Sequence, residues 1–403
     1  MRITAAIAIS LPIALLGACS SDGGDTPPGL CAATLAPGAD DQTTLQAAFI
    51  GATTGDRLCL QAGTFRFTDE LSLTVHGITL VGVEGTVLDF AGQVAGGNGM
   101  NVTGDDFTAE NFTLKNAPGD GIRVSGASNV TFRGLDVSWD AGSVTANGAY
   151  AIYPVTCEGV LVEDCDVAGA SDAGIYVGQS TNIIVRNNKV HGNVAGIEIE
   201  NSTNAEVHDN EAYDNTSGIL VFNLPDLPVG DGRTTLVHHN IIRDNNRENF
   251  AGGGVVAAVP HGTGVIILAN DNVEFRNNTV TGNISTGFAV ASYKVLEANP
   301  DDADFDAYPE TVYVHDNMFS NNGSDPQGLF LLSMTAPLED MIWDGFFDAN
   351  KVDTDGSLKI CIKNNGAATF RNVDWPNNFA TQSTDVAPHA CEHPAIPPVT
   401  LAF

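Results

Sequence analysis

The chain has 403 residues, of which 17 are basic and 49 acidic, and its formal net charge is −32 at pH 7. That length suits two ordinary domains or one long repeat array. The acidic excess argues against DNA or RNA as a partner, because a polyanion would be repelled at long range. Beyond the N-terminus, no segment is long and apolar enough to predict a membrane-spanning helix.

Residues 1–18 are typical of an export signal, because one arginine precedes an apolar run that is too short to span a bilayer. The run ends in LGAC, residues 16–19, which resembles a bacterial lipobox and implies that Cys19 carries a lipid. Cleavage without a lipid is the alternative. Ser20, by resemblance to known sorting rules, favours the outer membrane of a Gram-negative cell. Residues 19–35, which are mostly small and polar, predict a flexible tether.

A short helix is predicted over residues 43–52, TTLQAAFIGA, and residues 55–67 read as the first strand after it. The end of a stack of strands must be covered, so we interpret the helix as an N-terminal cap. This order of helix and strand resembles the start of pectate-lyase-like β-helices.

Two adjacent segments, 173–193 and 195–215, have nearly the same sequence, AGIYVGQSTNIIVRNNKVHGN and AGIEIENSTNAEVHDNEAYDN, and repeat after 22 residues. Short runs of β-branched residues with glycine and asparagine at the breaks indicate strands. A period of this length predicts a solenoid in which each repeat forms one turn. The predicted fold is therefore all-β, a right-handed parallel β-helix over residues 36–375.

Side chains alternate across a strand, so the repeat predicts columns of like residues that stack along the coil. Two apolar columns are expected to point inward: Ile122, Ile152, Ile175, Ile197 and Ile219, and Val124, Val177, Ile199, Val221 and Ile267. A column of asparagines at a bend predicts a ladder of side-chain amides: Asn188, Asn210, Asn240, Asn278 and Asn317.

Four insertions lengthen the repeat, and all flank the strand that begins with glycine; they lie at about 138–148, 224–235, 246–263 and 293–311. Because loops carry binding and chemistry on a rigid scaffold, we expect the exposed outer face of this strand to be a groove floor with the inserts as walls. The expected binding residues are Arg123, Tyr153, Asp172, Tyr176, Gln179, Glu198, Glu200, Asn201 and Phe222.

Tyrosines, carboxylates and one arginine, repeated at about 4.8 Å per turn, suit an extended sugar chain. A merely solvated outer face is the alternative interpretation of the same column. The candidate catalytic residues within it are Arg123, Tyr153, Tyr176, Glu198 and Glu200.

The cysteines are consistent with an exported protein that contains disulfides. Cys157 and Cys165 flank a predicted strand, which would hold their Cα atoms more than about 20 Å apart, so we expect them to be unpaired and buried. Two pairs remain as staples near the chain ends: Cys31 with Cys59, and Cys361 with Cys391. Residues 376–403, where the repeat has faded, are predicted to cap the C-terminal end.

Four segments resemble the exported parallel β-helix repeat family of bacterial lipoproteins: YPV-x-C at 153–157, SDAGIYVGQS at 171–180, NVAGIEIEN at 193–201 and GIL-V-F at 218–222. The resemblance implies membership in a pectate-lyase-like superfamily of carbohydrate-binding and sugar-hydrolase β-helices. Alginate C5-epimerases are more distantly similar. Their catalytic strand reads YGIDPHD, whereas the matching residues 150–156 read YAIYPVT, without the two acids and the histidine.

Lyase or epimerase chemistry at a uronic acid needs a base, an acid or tyrosine opposite it, and a group that neutralises the carboxylate. Tyr153 or Tyr176 could act as the acid and Arg123 could neutralise the substrate. The column holds no clear base, although His261 in a loop could reach over it.

Hydrolysis would instead need two carboxylates at a suitable separation. Glu198 and Glu200 are two residues apart on one strand and are expected on the same face, with Asp172 one turn earlier.

A calcium site is weakly indicated by the alternating acids Asp302, Asp304 and Asp306. Ala307 stands where such a loop expects glycine, and Tyr313 stands where it expects glutamate. A solvated acidic loop is favoured, and no cofactor is predicted.

The sequence thus predicts a lipid-anchored protein of the cell envelope that binds or processes a polysaccharide along a groove. A non-catalytic scaffold that binds an envelope protein partner is the alternative. Whether the chain is an enzyme is left open; a polysaccharide lyase or epimerase and a glycoside hydrolase are the candidate reaction types.

Overall fold

The computed structural model of the chain describes residues 29–298, 300–302, 305–331 and 336–403. The chain divides into two units, Met1–Leu30 and Cys31–Phe403, and the strands and helices of the described residues belong to the second. The predicted export signal and the predicted lipidation at Cys19 lie outside the described residues. Within the described ranges, no helix is long and apolar enough to cross a membrane.

Three parallel sheets form the coil, and successive strands along the chain pass from one sheet to the next. Sheet A contains Ala33–Leu35, Arg57–Leu60, Thr79–Val81, Thr108–Glu110, Ser128–Arg133, Glu158–Glu163, Thr181–Arg186, Thr203–His208, Arg233–His238, Asp271–Arg276, Val312–His315 and Ile360–Lys363. Sheet B contains Gly63–Arg66, Thr86–Asp89, Thr113–Lys115, Asp136–Ser138, Asp166–Ala168, Lys189–His191, Glu211–Tyr213, Ile241–Arg243, Thr279–Thr281 and Met318–Ser320. Sheet C contains Leu71–Leu73, Met100–Val102, Ile122–Ser125, Tyr150–Val155, Ala173–Gly178, Ala195–Glu200, Ser217–Phe222, Thr263–Leu268, Thr286–Ala291, Met341–Trp343 and Phe370–Asn372.

The predicted inward columns and the parallel β-helix are confirmed. Ile175, Ile197 and Ile219 face one another in register on neighbouring strands of sheet C, and all three are fully buried. Each turn therefore offers the next the same apolar surface, so like side chains stack on like and exclude water from the coil interior.

The asparagine ladder is also confirmed. Asn188 Nδ2 donates to Asn210 Oδ1 at 2.9 Å, and the same bond links Asn210 to Asn240 at 3.0 Å. A second ladder, which the sequence reading missed, runs from Asn193 through Asn215. These amides are buried, and the ladders satisfy polar groups that would otherwise be costly.

The described part of the chain also contains five short 3₁₀ helices: Val255–Ala258, Tyr293–Val295, Gly328–Leu331, Trp375–Asn377 and Ala387–His389. The α-helix at the N-terminal end spans Asp41–Gly51, close to the predicted 43–52, and buries Leu45 and Phe49 against the first turns. The segment read as a first strand, 55–67, forms two strands in different sheets, Arg57–Leu60 and Gly63–Arg66.

The predicted tether, 19–35, ends too late. Strand Ala33–Leu35 already pairs with Arg57–Leu60, and a disulfide joins Cys31 to Cys59 beside this pairing. Backbone hydrogen bonds and the cross-link therefore order the chain from Cys31 onward.

The predicted disulfides are present, since Cys361 pairs with Cys391 as Cys31 does with Cys59. Cys157 and Cys165 are unpaired and buried, as predicted. Burial raises the pKa of the Cys165 thiol to about 12, which keeps it protonated and unreactive.

The C-terminal segment, predicted as a cap over 376–403, has two parts. Its first part lies at the last strands of the coil, where Ser383 pairs with Asn372 and the His389 ring packs against Phe370. Its last part, residues 392–403, runs back along the outer face of sheet A. Glu274 Oε2 accepts the backbone N–H of Ile396 at 2.6 Å, and Glu206 Oε2 accepts that of Val399 at 2.8 Å. Val399 also packs in an apolar cluster with side chains of two earlier turns, Leu161 and Ile184.

The spacing explains this arrangement. Glu206 and Glu274 are two turns apart in sheet A, about 9.6 Å at about 4.8 Å per turn. Three residues of a polyproline II helix rise about 9.3 Å, which matches the step from Ile396 to Val399 across a proline pair. Both carboxylates are buried and need donors, and the tail supplies them.

Candidate active site on the outer face of sheet C

The four inserts that flank sheet C also contact one another in pairs. A Cβ at Gly252 would lie 3.5 Å from Thr145 Cγ2, so the inserts at 138–148 and 246–263 are in contact. Asp226 N donates to Asp302 Oδ2 at 2.9 Å, which joins the inserts at 224–235 and 293–311.

The expectation of an exposed floor along the whole column was wrong from Tyr176 onward, since Tyr176, Glu198 and Glu200 are buried. Leu220 and Phe222 are buried and pack with Val256 and Val259 of the insert at 246–263. The apolar side chains of these turns draw the insert down onto the sheet, because burying apolar area is favourable. The partly exposed members of the predicted binding set are Arg123, Tyr153, Asp172 and Gln179, on earlier turns.

Three tyrosines pack together at the border between the open and covered parts. The ring centroid of Tyr150 lies 4.5 Å from the centroid of Tyr153 and 4.5 Å from that of Tyr176. The centroids of Tyr153 and Tyr176 are 5.0 Å apart. The Tyr176 ring covers Gly178, where a Cβ would lie 2.4 Å from Tyr176 Cε1. Glycine at this position therefore allows the ring to lie flat on the strand.

The tyrosine hydroxyls reach a group of three carboxyls. The Tyr176 hydroxyl donates to Glu200 Oε1 at 2.5 Å, and the Tyr150 hydroxyl hydrogen-bonds to Asp172. Glu198 lies beside Glu200 and shares a hydrogen bond with it. Glu198 is 3% exposed and Glu200 7%, whereas Asp172 is only partly buried and lies nearest to solvent.

Burial and mutual repulsion make these carboxyls hold their protons. Burial, followed by the charge of Glu200, raises the pKa of Asp172 to about 7. Burial, followed by the charge of Asp172, raises the pKa of Glu198 well above its ordinary value. Burial also raises the pKa of Glu200, although the hydrogen bonds from Tyr176 and Glu198 oppose that effect. At neutral pH the group can therefore both donate and accept a proton.

Arg123 and Asp120 complete the open part. The Arg123 guanidinium lies over the Tyr153 ring, 5.3 Å from its centroid. Burial raises the pKa of Asp120 to about 6, while a hydrogen bond from the Tyr150 backbone N–H, 3.3 Å from Asp120 Oδ1, and the charge of Arg123 oppose the rise.

The sequence reading did not select Tyr150 or Asp120. A signal existed for Tyr150, which occupies the first position of the segment YAIYPVT that was compared with the epimerase strand. Asp120 precedes a strand of sheet C, as Asp172 does, so its position in the repeat could have identified it.

Other predicted residues have structural contacts. Gln179 Nε2 donates to the Tyr176 hydroxyl at 3.2 Å, so it borders the carboxyl group. Asn201 Nδ2 instead donates to the carbonyls of Leu224 and Val229 and fixes an insert. His261 accepts a hydrogen bond at its backbone carbonyl, and no contact recorded for the described residues joins its ring to the carboxyls.

The covered part of sheet C contains an apolar cavity of about 90 Å³, which Phe222, Ile266 and Leu268 line together with the surrounding inserts. Asp344 borders it, and burial raises the pKa of this carboxyl to about 7 although two backbone N–H groups bind it.

The weakly indicated calcium site takes a different form. Oxygen atoms of Asp271, Asp306 and Glu310 all lie within 4.8 Å of one another. Lys351 Nζ donates to Asp306 and to Glu310, each at 2.5 Å, so the chain supplies its own cation there. Asp302 binds an insert backbone instead, and Asp304 lies outside the described residues. Asp271, which was not predicted, joins the group.

The family model described as "Right handed beta helix region" matches residues 97–224 and 142–300, which together cover more than half of the chain. This match confirms the predicted handedness. No curated protein sequence matches the chain.

Solved structures share the fold at low identity. A polygalacturonase from Erwinia carotovora ssp. carotovora is 13% identical, with a TM-score of 0.49 over 87% of this chain and 97% of that one. A mannuronan C-5 epimerase A-module from Azotobacter vinelandii is 13% identical, with a TM-score of 0.45 over 81% and 89%. A surface protein and adhesin from Streptococcus pneumoniae is 12% identical, with a TM-score of 0.49 over 76% and 85%.

Proposed function

The chain belongs to the right-handed β-helix family, and from this premise we propose that it binds and hydrolyses a polysaccharide at the open part of sheet C. The observation that carries the proposal is the convergence of Asp172, Glu198 and Glu200 beside three packed tyrosines. Aromatic rings with polar hydroxyls suit sugar rings, and paired carboxyls with separated proton affinities suit glycoside hydrolysis.

Asp172 is assigned as the general acid, because it lies nearest to solvent and its pKa is raised to about 7. A carboxyl that keeps its proton near neutral pH can donate it to the oxygen of the leaving sugar. Glu200 accepts hydrogen bonds from Tyr176 and Glu198, which favour its charged form, so it is assigned as the second carboxylate. Tyr153 provides a partly exposed ring for a sugar unit.

Hydrolysis is favoured over lyase or epimerase chemistry. Burial raises the pKa of both Tyr150 and Tyr176 further above their ordinary values, so neither hydroxyl readily gives up a proton. Arg123, the expected neutralising group, lies over the Tyr153 ring, and the nearby Asp120 offsets part of its charge, although its Nε is buried without a hydrogen-bond partner among the described residues. A uronic acid reaction would need these same groups to serve as acid and counter-charge.

The test is release of reducing ends from a panel of neutral, amino-sugar and uronic acid polysaccharides. We expect Asp172→Asn to lower the rate by at least about 100-fold, the usual range for loss of a general acid. Asp166→Asn is the matched control, because Asp166 is an exposed aspartate on sheet B of the same turn. Full activity in Asp172→Asn would contradict the assignment. Absence of both binding and turnover with every glycan would leave the non-catalytic scaffold.

The cellular location is part of the same proposal. The LGAC sequence at 16–19 supports a lipid on Cys19, and this lipid would hold the coil at the cell envelope. Ser20, which follows the cysteine, favours the outer membrane. We expect Cys19→Ala to leave the membrane fraction or to remain unprocessed. Unchanged membrane fractionation of this variant would contradict lipid anchoring.

A further inference from the structure

One carboxyl oxygen in the proposed site is buried without a hydrogen-bond partner. Glu198 is 3% exposed, and its Oε2 atom contacts no donor among the described residues. An unsatisfied buried polar atom costs free energy, so each such atom in a folded protein calls for an explanation. The atom belongs to the carboxyl group at the proposed site, and a donor from a bound molecule would satisfy it.

The charges around this atom are mostly negative. Asp120, Asp172 and Glu200 surround the tyrosines together with Glu198, whereas Arg123 is the cation recorded among them. Arg123 offsets the charge of Asp120 and already lies over a tyrosine ring. A ligand with carboxylates would therefore meet repulsion at this site, and a ligand with cationic groups would meet attraction.

The tyrosine faces add to the same preference. An aromatic ring attracts a cation placed over its face, and the guanidinium over Tyr153 shows that this part of the surface accommodates one. Asp172, Glu198 and Glu200 are not arranged as a metal site, because their oxygen atoms are not all within 4.8 Å of one another. The described carboxyls with ligand atoms all within 4.8 Å are Asp271, Asp306 and Glu310, in a different part of the coil.

We infer that the polysaccharide carries free amino groups, and that an ammonium of one sugar unit binds the adjacent carboxyls of Glu198 and Glu200. This inference rests on the proposed function. An ammonium has three donors and no acceptor, so it can satisfy the unpaired Glu198 oxygen and a neighbouring carboxylate together. Burial raises the pKa of Glu198 and of Glu200, so a bound cation displaces a proton from this pair into solution, whereas Asp172 keeps the proton that it donates.

The test uses isothermal titration calorimetry with three hexasaccharides, namely glucosamine, N-acetylglucosamine and galacturonate. Salt of about 0.15 M screens the long-range attraction of the chain for any cation. We expect the glucosamine hexamer to bind at least tenfold more tightly than the acetylated hexamer, and to release protons in buffers of different ionisation enthalpy.

Glu198→Gln should reduce this preference to near equality. Glu158→Gln is the matched control, because Glu158 is an exposed glutamate on a strand of sheet A and its substitution removes the same charge. If Glu198→Gln fails to fold, Glu200→Gln is titrated with the same three glycans, and the same loss of preference is expected.

Equal or tighter binding of the acetylated or the galacturonate hexamer would overturn the amino-sugar inference and leave a glycan site in place. An equal loss of preference in Glu158→Gln would also overturn it, because the selectivity would then reflect net charge alone. Failure of all three hexamers, and of every glycan in the wider panel, would overturn the proposed function as well.

Discussion

The outer face of sheet C differs between its earlier and later turns, although the inner face does not. From Ile122–Ser125 to Ala195–Glu200 the outer side chains are tyrosines, carboxyls and an arginine, and part of this face is open. From Ser217–Phe222 to Thr286–Ala291 they are mainly leucine, phenylalanine, isoleucine and alanine beneath the inserts. The coil constrains only the inward columns, so the outward residues are free to form a site or to hold a cover.

The comparison also shows why the carboxyls have unusual pKa values. They lie where the open part meets the covered part, so Glu198 and Glu200 are buried while Asp172 keeps some contact with solvent. Low solvent access penalises the charged form of a carboxyl and raises its pKa. Asp172 therefore keeps a proton that it would lose in a fully open groove.

The largest effect is expected inside the coil, where both parts are alike. Ile197→Asp places a carboxylate in a fully buried apolar column, which should cost more than about 4 kcal/mol and unfold several turns. Glu198→Gln, one residue away, should cost less than about 1 kcal/mol, because the glutamate already holds a proton and glutamine has the same shape. Thermal denaturation followed by circular dichroism measures both. Equal losses would contradict the assigned alternation.

A second comparison sets the covered part against the open part. Phe222→Ala should cost about 3–5 kcal/mol, because its buried ring would leave a cavity beneath the insert. Tyr153→Ala should cost about half as much, since that ring is partly exposed. Chemical denaturation gives the two values, and a larger loss for Tyr153→Ala would reverse our assignment of the open and covered parts.

Asp172 should make stability depend on pH. The pKa of Asp172 is about 7 in the folded chain, against an ordinary value of 3.8 that applies to the unfolded chain. Between pH 3.8 and about pH 7 the folded chain therefore holds a proton that the unfolded chain has released. Stability therefore falls as pH rises through this window. Asp172→Asn should be more stable than the parent above pH 7, by at most about 4 kcal/mol at about 1.4 kcal/mol per pKa unit, and no more stable near pH 3.8.

This gain should accompany the loss of activity described above, so the same substitution would separate stability from function. Asp166→Asn should change neither property. A parent protein whose stability is constant across this pH window would show that the Asp172 carboxyl is not buried as described.

The smallest effect is expected at the border itself. Gly178→Ala forces the Tyr176 ring away from the strand and from Glu200, which should cost about 1–3 kcal/mol and lower the proposed activity. Gly253→Ala is the control, because no atom lies within 4 Å of its added Cβ. An unchanged Gly178→Ala protein would show that the position of Tyr176 matters little.

Most of the coil could be predicted because its determinants are local and repeated. Alternation along a strand assigns Ile197 inward and Glu198 outward, and a 22-residue repeat places like residues on neighbouring turns. The disulfides followed from cysteine positions once the strand between Cys157 and Cys165 was recognised. Much of the candidate site followed too, since Tyr176, Glu198 and Glu200 were selected from the outward positions of their strands and Asp172 from its place just before the strand.

The sequence by itself determined the parallel coil, its inward columns and the outward direction of the site residues, because each depends on periods of two residues and one turn. Only the tertiary structure decided which outward residues are buried, which inserts touch, and that residues 392–403 lie along sheet A. These segments have no period, and their positions depend on surfaces that form only when distant turns stack. The pKa of Asp172 belongs to this second group, since it reflects burial by residues far away in the chain.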